Sequence, residues 1–229
     1  MSDLQSDYMS VLELGVIDVY HLDHGFHPDL VIDGGGNIGM FTLRAAACLT
    51  PQGDSPIRFV VCEPVPTNIK QIRKNLEINR IEANILPVCL GGAHRTIPFY
   101  CREANQSSFD SSKPYTSQIE VPVIPLQDAL GSNSAERILI KLDIEGMEVE
   151  TLSAYIPQEK RAVYIVGELH EFSVNAPLME ELFQRNGWTL EIFGIADDLA
   201  TFRACSPAAL PLLKSISKVQ ARSYVTAAI

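Results

Sequence analysis

Val31-Ile32-Asp33-Gly34-Gly35-Gly36-Asn37-Ile38-Gly39 is the stretch that decides the fold. An apolar run reaches an acid, four glycines then fall within six positions, and an amphipathic segment runs from Met40 to Leu49. That is the pattern of a buried strand ending in a glycine-rich turn that opens a helix. Glycine permits a tight turn and close approach of a ligand to the main chain, and a helix start offers unpaired N–H groups. The run therefore predicts a nucleotide-type cofactor. Gly34, Gly36 and Gly39 also spell the G-x-G-x-x-G of dinucleotide-binding proteins, so other residues must decide which cofactor it is.

Outward from this loop, strand-like apolar runs alternate with amphipathic ones, which predicts βαβ units and a largely parallel sheet with helices on both faces. Strands are expected at Leu30 to Asp33, Ile57 to Cys62, Ala83 to Val88, Ile138 to Leu142 and Val163 to Leu169. Helices are expected at Met40 to Leu49, Thr67 to Asn79, Met147 to Tyr155 and Pro177 to Asn186, the last ended by Gly187. The stripe Ile69, Ile72, Leu76 and Ile78 is read as the buried face of the second helix. Thr189 to Phe193 and Ala200 to Ala204 read as a closing antiparallel hairpin. Residues 94–125 break the alternation and read as an inserted hairpin or substrate loop, with a Ser-rich lid at Gln106 to Ser112 carrying Phe109. The chain is read as one domain, 1–229, with an N-terminal extension (1–29) and a C-terminal tail (206–229) that could pack on the core or pair two subunits.

In such a sheet the ligand lies beyond the carboxyl ends of the strands, where the strand order switches. The ends to inspect are Asp33, Glu63, Leu90 with Gly91 and Gly92, Asp143, and Glu168 with His170. Four of these five ends carry an ionisable side chain. Net charge is −10, which disfavours nucleic acid as a substrate, because a phosphate backbone demands clustered Lys and Arg. The nearest cluster, Lys70 to Lys74, reads as a solvated helix face. No apolar run is long enough to span a membrane, and the polar N-terminus lacks the design of a signal peptide, so a cytoplasmic location is expected. The five cysteines form no C-x-x-C pair and read as reduced core thiols. His21, His24 and His27 are spaced by three, but Gly25 and Pro28 argue for a loop there, not a metal-binding helix face.

Asp33 distinguishes the candidate cofactors. A carboxylate aimed at the ligand would repel a pyrophosphate and attract the cationic amino group of S-adenosylmethionine. The nicotinamide reading also lacks its chemistry, since Tyr155 is followed four residues later by Glu159 and not by the lysine of a Tyr-x-x-x-Lys pair.

Three segments, Val31 to Leu43 (VIDGGGNIGMFTL), Phe59 to Asn68 (FVVCEPVPTN) and Ile140 to Leu152 (IKLDIEGMEVETL), resemble the FkbM family of S-adenosylmethionine-dependent methyltransferases. The resemblance covers residues 30–190. It implies the class I methyltransferase fold, a Rossmann-like, mostly parallel seven-stranded sheet with the last strand antiparallel. It also implies O-methylation of a sugar or natural-product hydroxyl. Carried onto this chain, Asp33, Gly34, Gly35, Gly36, Asn37 and Gly39 would wrap the methionine end of the cofactor. Glu63 would accept from both ribose hydroxyls, a task suited to an ionised carboxylate. Asn68 would sit near the ribose or adenine, and Leu90 would border the adenine. Cys89-Leu90-Gly91-Gly92 departs from the family's usual Ala-Leu-Gly or Ala-Leu-Ser, which leaves the adenine edge open.

Methylating a hydroxyl requires a positioned acceptor and a base for its proton. Lys141, Asp143 and Glu145 alternate and are expected to point the same way. Asp143 is the first choice for a carboxylate touching cofactor or acceptor, and Lys141 its buried charge partner. Glu145 reads equally as a catalytic acid or as an acid favoured by a helix dipole. His170, at a strand end beside carboxylates, is the candidate general base. Alternatively, Asp143, Glu168 and His170 could ligate a divalent cation that activates the hydroxyl, Mn²⁺ or Fe²⁺ suiting the set better than Mg²⁺; a metal is not expected. Other open readings are a nitrogen or carboxylate acceptor, a nicotinamide-dependent oxidoreductase, and a non-catalytic cofactor binder.

Overall fold

A computed structural model describes residues 20, 22, 25–49, 56–101, 115–132 and 134–213. Its centre is β1 (Leu30–Gly34), buried along its whole length. Both neighbours are parallel to it: β2 (Arg58–Cys62) on one side and β7 (Arg137–Leu142) on the other. A strand covered on both faces reads as an unbroken apolar run, which is why Leu-Val-Ile lacks alternation. With β3 (Asn84–Leu86), β8 (Ala162–Leu169), β9 (Thr189–Ala196) and β10 (Leu199–Cys205), the order is β3-β2-β1-β7-β8-β10-β9. β10 runs antiparallel to both β8 and β9. The seven strands and the antiparallel last one agree with the sequence reading. The order switches direction between β1 and β7, which sets a crevice at their carboxyl ends.

The two faces of the sheet pack separately. Leu30 and Ile32 of β1 join Ile138, Ile140, Ile165 and Leu152 in one cluster, while Val31 joins Leu139, Tyr164, Phe41 and Ala45 in another. Helix α1 (Met40–Cys48) belongs to the second face, and α4 (Glu148–Tyr155) and α5 (Phe172–Arg185) to the first. α2 (Pro66–Asn79) buries Ile69, Ile72 and Leu76 as expected, with Lys70, Arg73 and Lys74 exposed. Ile78 does not join the stripe and is 68% exposed; two residues past Leu76 is about 200° around a helix of 3.6 residues per turn.

The hairpin excursion proves to be a second sheet. β4 (Cys89–Gly91) pairs parallel with β6 (Ser117–Pro125), and β5 (Arg95–Cys101) pairs antiparallel with β6. Its inner residues Leu90, Phe99, Val121 and Val123 share the core of the main sheet. The expected strand Ala83 to Val88 is shortened to Asn84–Leu86. Pro87 has no N–H with which to continue the ladder, so the chain leaves the main sheet after Leu86 and pairs elsewhere from Cys89. A short helix α3 (Leu126–Leu130), not expected from the sequence, follows β6.

α5 begins at Phe172, five residues before the expected start, and holds Pro177 in its interior. Glu171 takes a left-handed conformation at its N-terminus, and its carbonyl accepts from Val174 and Asn175. Burial of Asn175, Ala176, Met179 and Leu182 evidently outweighs the proline. The Ser-rich lid, His21, His24, Phe109 and most of the two terminal segments lie outside the described residues. Among the described residues no helix is long and apolar enough to cross a membrane. Cys62, Cys89 and Cys205 are buried free thiols, and burial pushes Cys89 up to about 12.

Candidate active site

The glycine loop leaves β1 under tight geometric limits. Gly35 has φ +75°, and a Cβ there would meet the Asp143 carbonyl oxygen at 1.9 Å. A Cβ on Gly36 would meet Val61 Cγ1 at 2.3 Å. Both positions are therefore closed to any side chain, by the β7 end on one side and β2 on the other. The N–H groups of Gly35 and Gly36 both donate to the Cys62 carbonyl, at 3.0 Å. Asn37, also left-handed, donates its N–H to Glu63 Oε2 at 2.8 Å. Loop and β2 end are thus one locked unit.

Glu63 is only 4% exposed. Besides Asn37, its carboxylate accepts from the Val65 N–H at 2.9 Å and from Asn68 Nδ2 at 3.2 Å, both on Oε1. Burial drives its pKa up and these donors pull it back, leaving it at about 7. A carboxylate has about four acceptor positions, and three are in use.

Asp33 lies further back than the sequence reading placed it. It is 1% exposed, accepts from Thr42 Oγ1 at 2.7 Å, and lies 3.7 Å from the Lys141 ammonium. Burial raises its pKa against the opposing effects of Lys141 and Thr42. Lys141, 3% exposed, also donates to the carbonyls of Gly34 (3.1 Å) and Gly35 (2.7 Å) and lies 3.4 Å from Asp143 Oδ2. Burial favours its neutral form, but Asp143, Asp33 and Glu168 outweigh that and raise its pKa. This lysine ties the glycine loop to the end of β7. Asp33 is consequently a scaffold acid in contact with that lysine and not an exposed carboxylate.

At the β7–β8 end stands His170. Its Nδ1 is 3.0 Å from Glu148 Oε1, and its Nε2 is 3.9 Å from Glu145 Oε2. Burial lowers the ring's pKa, yet Glu148, Glu145 and Asp143 raise it to about 9. Lys141, Asp143 and Glu145 do not continue a strand as expected, because β7 ends at Leu142 and Glu145 sits in a left-handed turn with φ 59°. The helix-start role offered to Glu145 belongs to Glu148 and Glu150, in the first turn of α4.

A cleft joins these parts. Gly35, Asn37, Glu63, Asn68, Asp143 and Glu145 supply its polar lining, and Cys62, Pro64, Val65, Val88, Cys89, Leu90, Phe99 and Ile144 complete it. Asp33, Gly34, Gly36, Gly39, Lys141, Glu168 and His170 are not in that lining; the glycines and Lys141 shape the loop that is.

A family model for the methyltransferase FkbM domain matches residues 33–189. The chain belongs to the FkbM methyltransferase family. The curated Methyltransferase 1 of Beauveria bassiana (strain ARSEF 2860) is 29% identical over 150 residues, 55% of this chain and 58% of that protein's length. Among solved structures, the fold is similar to methyltransferase FkbM from Methylobacillus flagellatus KT, with TM-score 0.53, 15% identity, and coverage of 90% of this chain and 56% of that one. It is also similar to a precorrin-6y C5,15-methyltransferase from Geobacter metallireducens GS-15, with TM-score 0.50, 12% identity, and coverage of 90% and 93%.

In this FkbM-family chain the sequence reading missed Thr42, Phe99 and Glu148, along with apolar lining residues such as Val65 and Ile144. Thr42 is fully buried against Asp33, and only its place one helical turn past Gly39 could have hinted at it. Phe99 reaches the cleft from β5, within the Ile97-Pro98-Phe99-Tyr100 alternation. Glu148 is 0% exposed, which no helix-start acid advertises in sequence. Gly91 and Gly92 have a packing role: Cβ atoms there would meet Val123 and Met147, and Glu150, at under 3.0 Å.

Proposed function

We propose that this chain binds S-adenosylmethionine in the cleft and transfers its methyl group to a hydroxyl of a small molecule, a sugar or a secondary metabolite. The observation that carries the reading is the cleft's charge. Its described lining holds three carboxylates, Glu63, Asp143 and Glu145, and no lysine or arginine. A pyrophosphate would be repelled there; a cofactor with a ribose, an amino group and a sulfonium suits it. S-adenosylmethionine would supply an already activated methyl group.

Glu63 would accept from the ribose hydroxyls. One acceptor position is open, and the Asn68 amide, its longest contact at 3.2 Å, is the partner that a second hydroxyl would displace. Leu90, Val65 and Phe99 offer an apolar wall for the adenine. Gly35 and Asn37 lie on the methionine side, with Asp143 between cofactor and acceptor. Lys141 neutralises Asp33 and holds the loop without reaching the acceptor.

His170 would take the acceptor's proton through Nε2. Three carboxylates favour its protonated form, and a cationic ligand beside them favours the neutral ring by the same electrostatics. A second reading has one observation behind it: Asp143, Glu168 and His170 each place a ligand atom within 4.8 Å of the others, as a divalent cation would need. The Lys141 ammonium, 3.4 Å from Asp143, counts against a further cation there. The test is transfer of labelled methyl from S-adenosylmethionine to a panel of polyols and hydroxylated metabolites. Label should appear on a hydroxyl, His170→Ala should lose most turnover while still binding S-adenosylmethionine, and exhaustive chelation should leave the rate unchanged. Full activity in His170→Ala would remove the base assignment, and loss of activity on chelation would install the cation.

A further inference from the structure

Glu148 is a carboxylate with no solvent exposure, spent entirely inside the protein at the edge of the reaction corner. Burying a charged group is costly unless it is closely hydrogen-bonded, so its partners show what it is kept for. One oxygen, Oε1, receives the Ile144 N–H at 3.1 Å, the Gly146 N–H at 3.2 Å and the His170 ring at Nδ1, 3.0 Å away. The two N–H groups flank Glu145, whose left-handed backbone they hold in place. From the other side, Asn175 Nδ2 donates to the His170 carbonyl at 2.8 Å and fixes the backbone that carries the ring.

We infer that Glu148 is the positioning residue of this site: its Oε1 orients the His170 ring through Nδ1 and sets the Glu145 turn, leaving Nε2 as the nitrogen presented to the acceptor. A carboxylate can only accept here, so Nδ1 carries the hydrogen. The lone pair of the neutral ring is then on Nε2, beside Glu145 Oε2 at 3.9 Å. Rotating the ring or moving the hydrogen to Nε2 would leave Oε1 short of a donor and point a hydrogen where a base needs a lone pair. The same oxygen thus fixes both groups at the rim. Glu148 touches no cleft ligand and acts through His170.

The catalytic consequence rests on the proposed base role of His170; the ring orientation does not. Two variants separate them. Glu148→Gln keeps an acceptor oxygen for all three donors, whereas Glu148→Ala removes it. We expect the wild-type protein to show a slowly exchanging, downfield His170 ring N–H proton coupled to Nδ1. It should persist in Glu148→Gln and vanish in Glu148→Ala. In methyl transfer, kcat should fall about a hundredfold in Glu148→Ala, the scale of a small misplacement of a reacting group. The Kd for S-adenosylmethionine should stay within about twofold, and Glu148→Gln should recover most of kcat. An unchanged ring proton in Glu148→Ala would overturn the inference whatever the activity. A lost ring proton with undiminished kcat would leave the orientation standing and overturn the base role. If Glu148→Ala does not fold, a Glu148→Gln protein lacking the Nδ1–H signal overturns the inference on its own.

Discussion

At the scale of single residues, the site is governed by how each charge is buried. Glu63 has a pKa of about 7 against an ordinary 4.5. A carboxyl group whose folded pKa is raised favours the folded state most below its unfolded pKa, and that contribution is lost as pH rises from about 4.5 through 7. Ligand binding should show the opposite trend, because a diol needs the ionised form. The Kd for S-adenosylmethionine is expected to weaken as pH falls below about 7 and to level off above it, measured by titration calorimetry across pH. Glu63→Gln should remove that dependence and weaken binding by about 1.5–3 kcal/mol, the range for hydrogen bonds to charged groups. A pH-independent affinity in the wild-type protein would contradict the role given to Glu63.

Lys141 gives a second test at this scale. It is the cation beside the buried Asp33 and donates to two loop carbonyls. Lys141→Met leaves that carboxylate uncompensated, a change that typically costs about 3–5 kcal/mol. Chemical denaturation should show the loss; a midpoint within error of wild type would mean that the pair does not hold the loop. Asp33 marks the limit of what the sequence could say here. Its position before the glycines was legible, and its burial was not, because the lysine it pairs with lies 108 positions away in the chain.

At the scale of elements, helix α2 positions the glycine loop through Ile72 packed beneath it and through Asn75, whose Nδ2 donates to the Ile38 carbonyl at 2.8 Å. Ile72 is fully buried with Val61 and Leu76, and the sites of Gly36 and Gly39 face it at 3.3 and 3.6 Å. Ile72→Ala should cost about 2–5 kcal/mol and should loosen the loop against β2, so that S-adenosylmethionine binds more weakly as well. Equilibrium unfolding with a parallel binding titration checks both, and a stability loss with unchanged affinity would show that Ile72 does not hold the loop. Periodicity made this helix legible, since Ile69, Ile72 and Leu76 recur at helical spacing. Pattern alone did not locate the start of α5, where Pro177 read as a first-turn residue but lies inside, and the third strand, expected to run to Val88, ends before Pro87. At α5 long-range packing, absent from local sequence, decides the outcome, whereas the strand end was marked locally by Pro87, which has no N–H for the ladder.

At the scale of the molecule, the architecture brings the ends of β1, β2 and β7 to one crevice, sets the end of β8 with His170 beside Glu145, and adds β4 and β5 from a second sheet as the crevice's apolar wall. The main sheet was readable because buried parallel strands announce themselves as apolar runs. The second sheet was legible only as an excursion, since its place against the core depends on residues such as Phe99 and Val121 meeting partners far away. What the assembled crevice gains is a charge character that no single motif carries: acidic lining, with its nearest lysine already committed to the loop. That character should select the cofactor, and the most direct test is calorimetric titration of the whole chain with S-adenosylmethionine and, separately, with a nicotinamide dinucleotide. Saturable one-to-one binding of S-adenosylmethionine, weakened in Glu63→Gln, and no binding of the dinucleotide are expected. Binding of the dinucleotide with none of S-adenosylmethionine would contradict that selection.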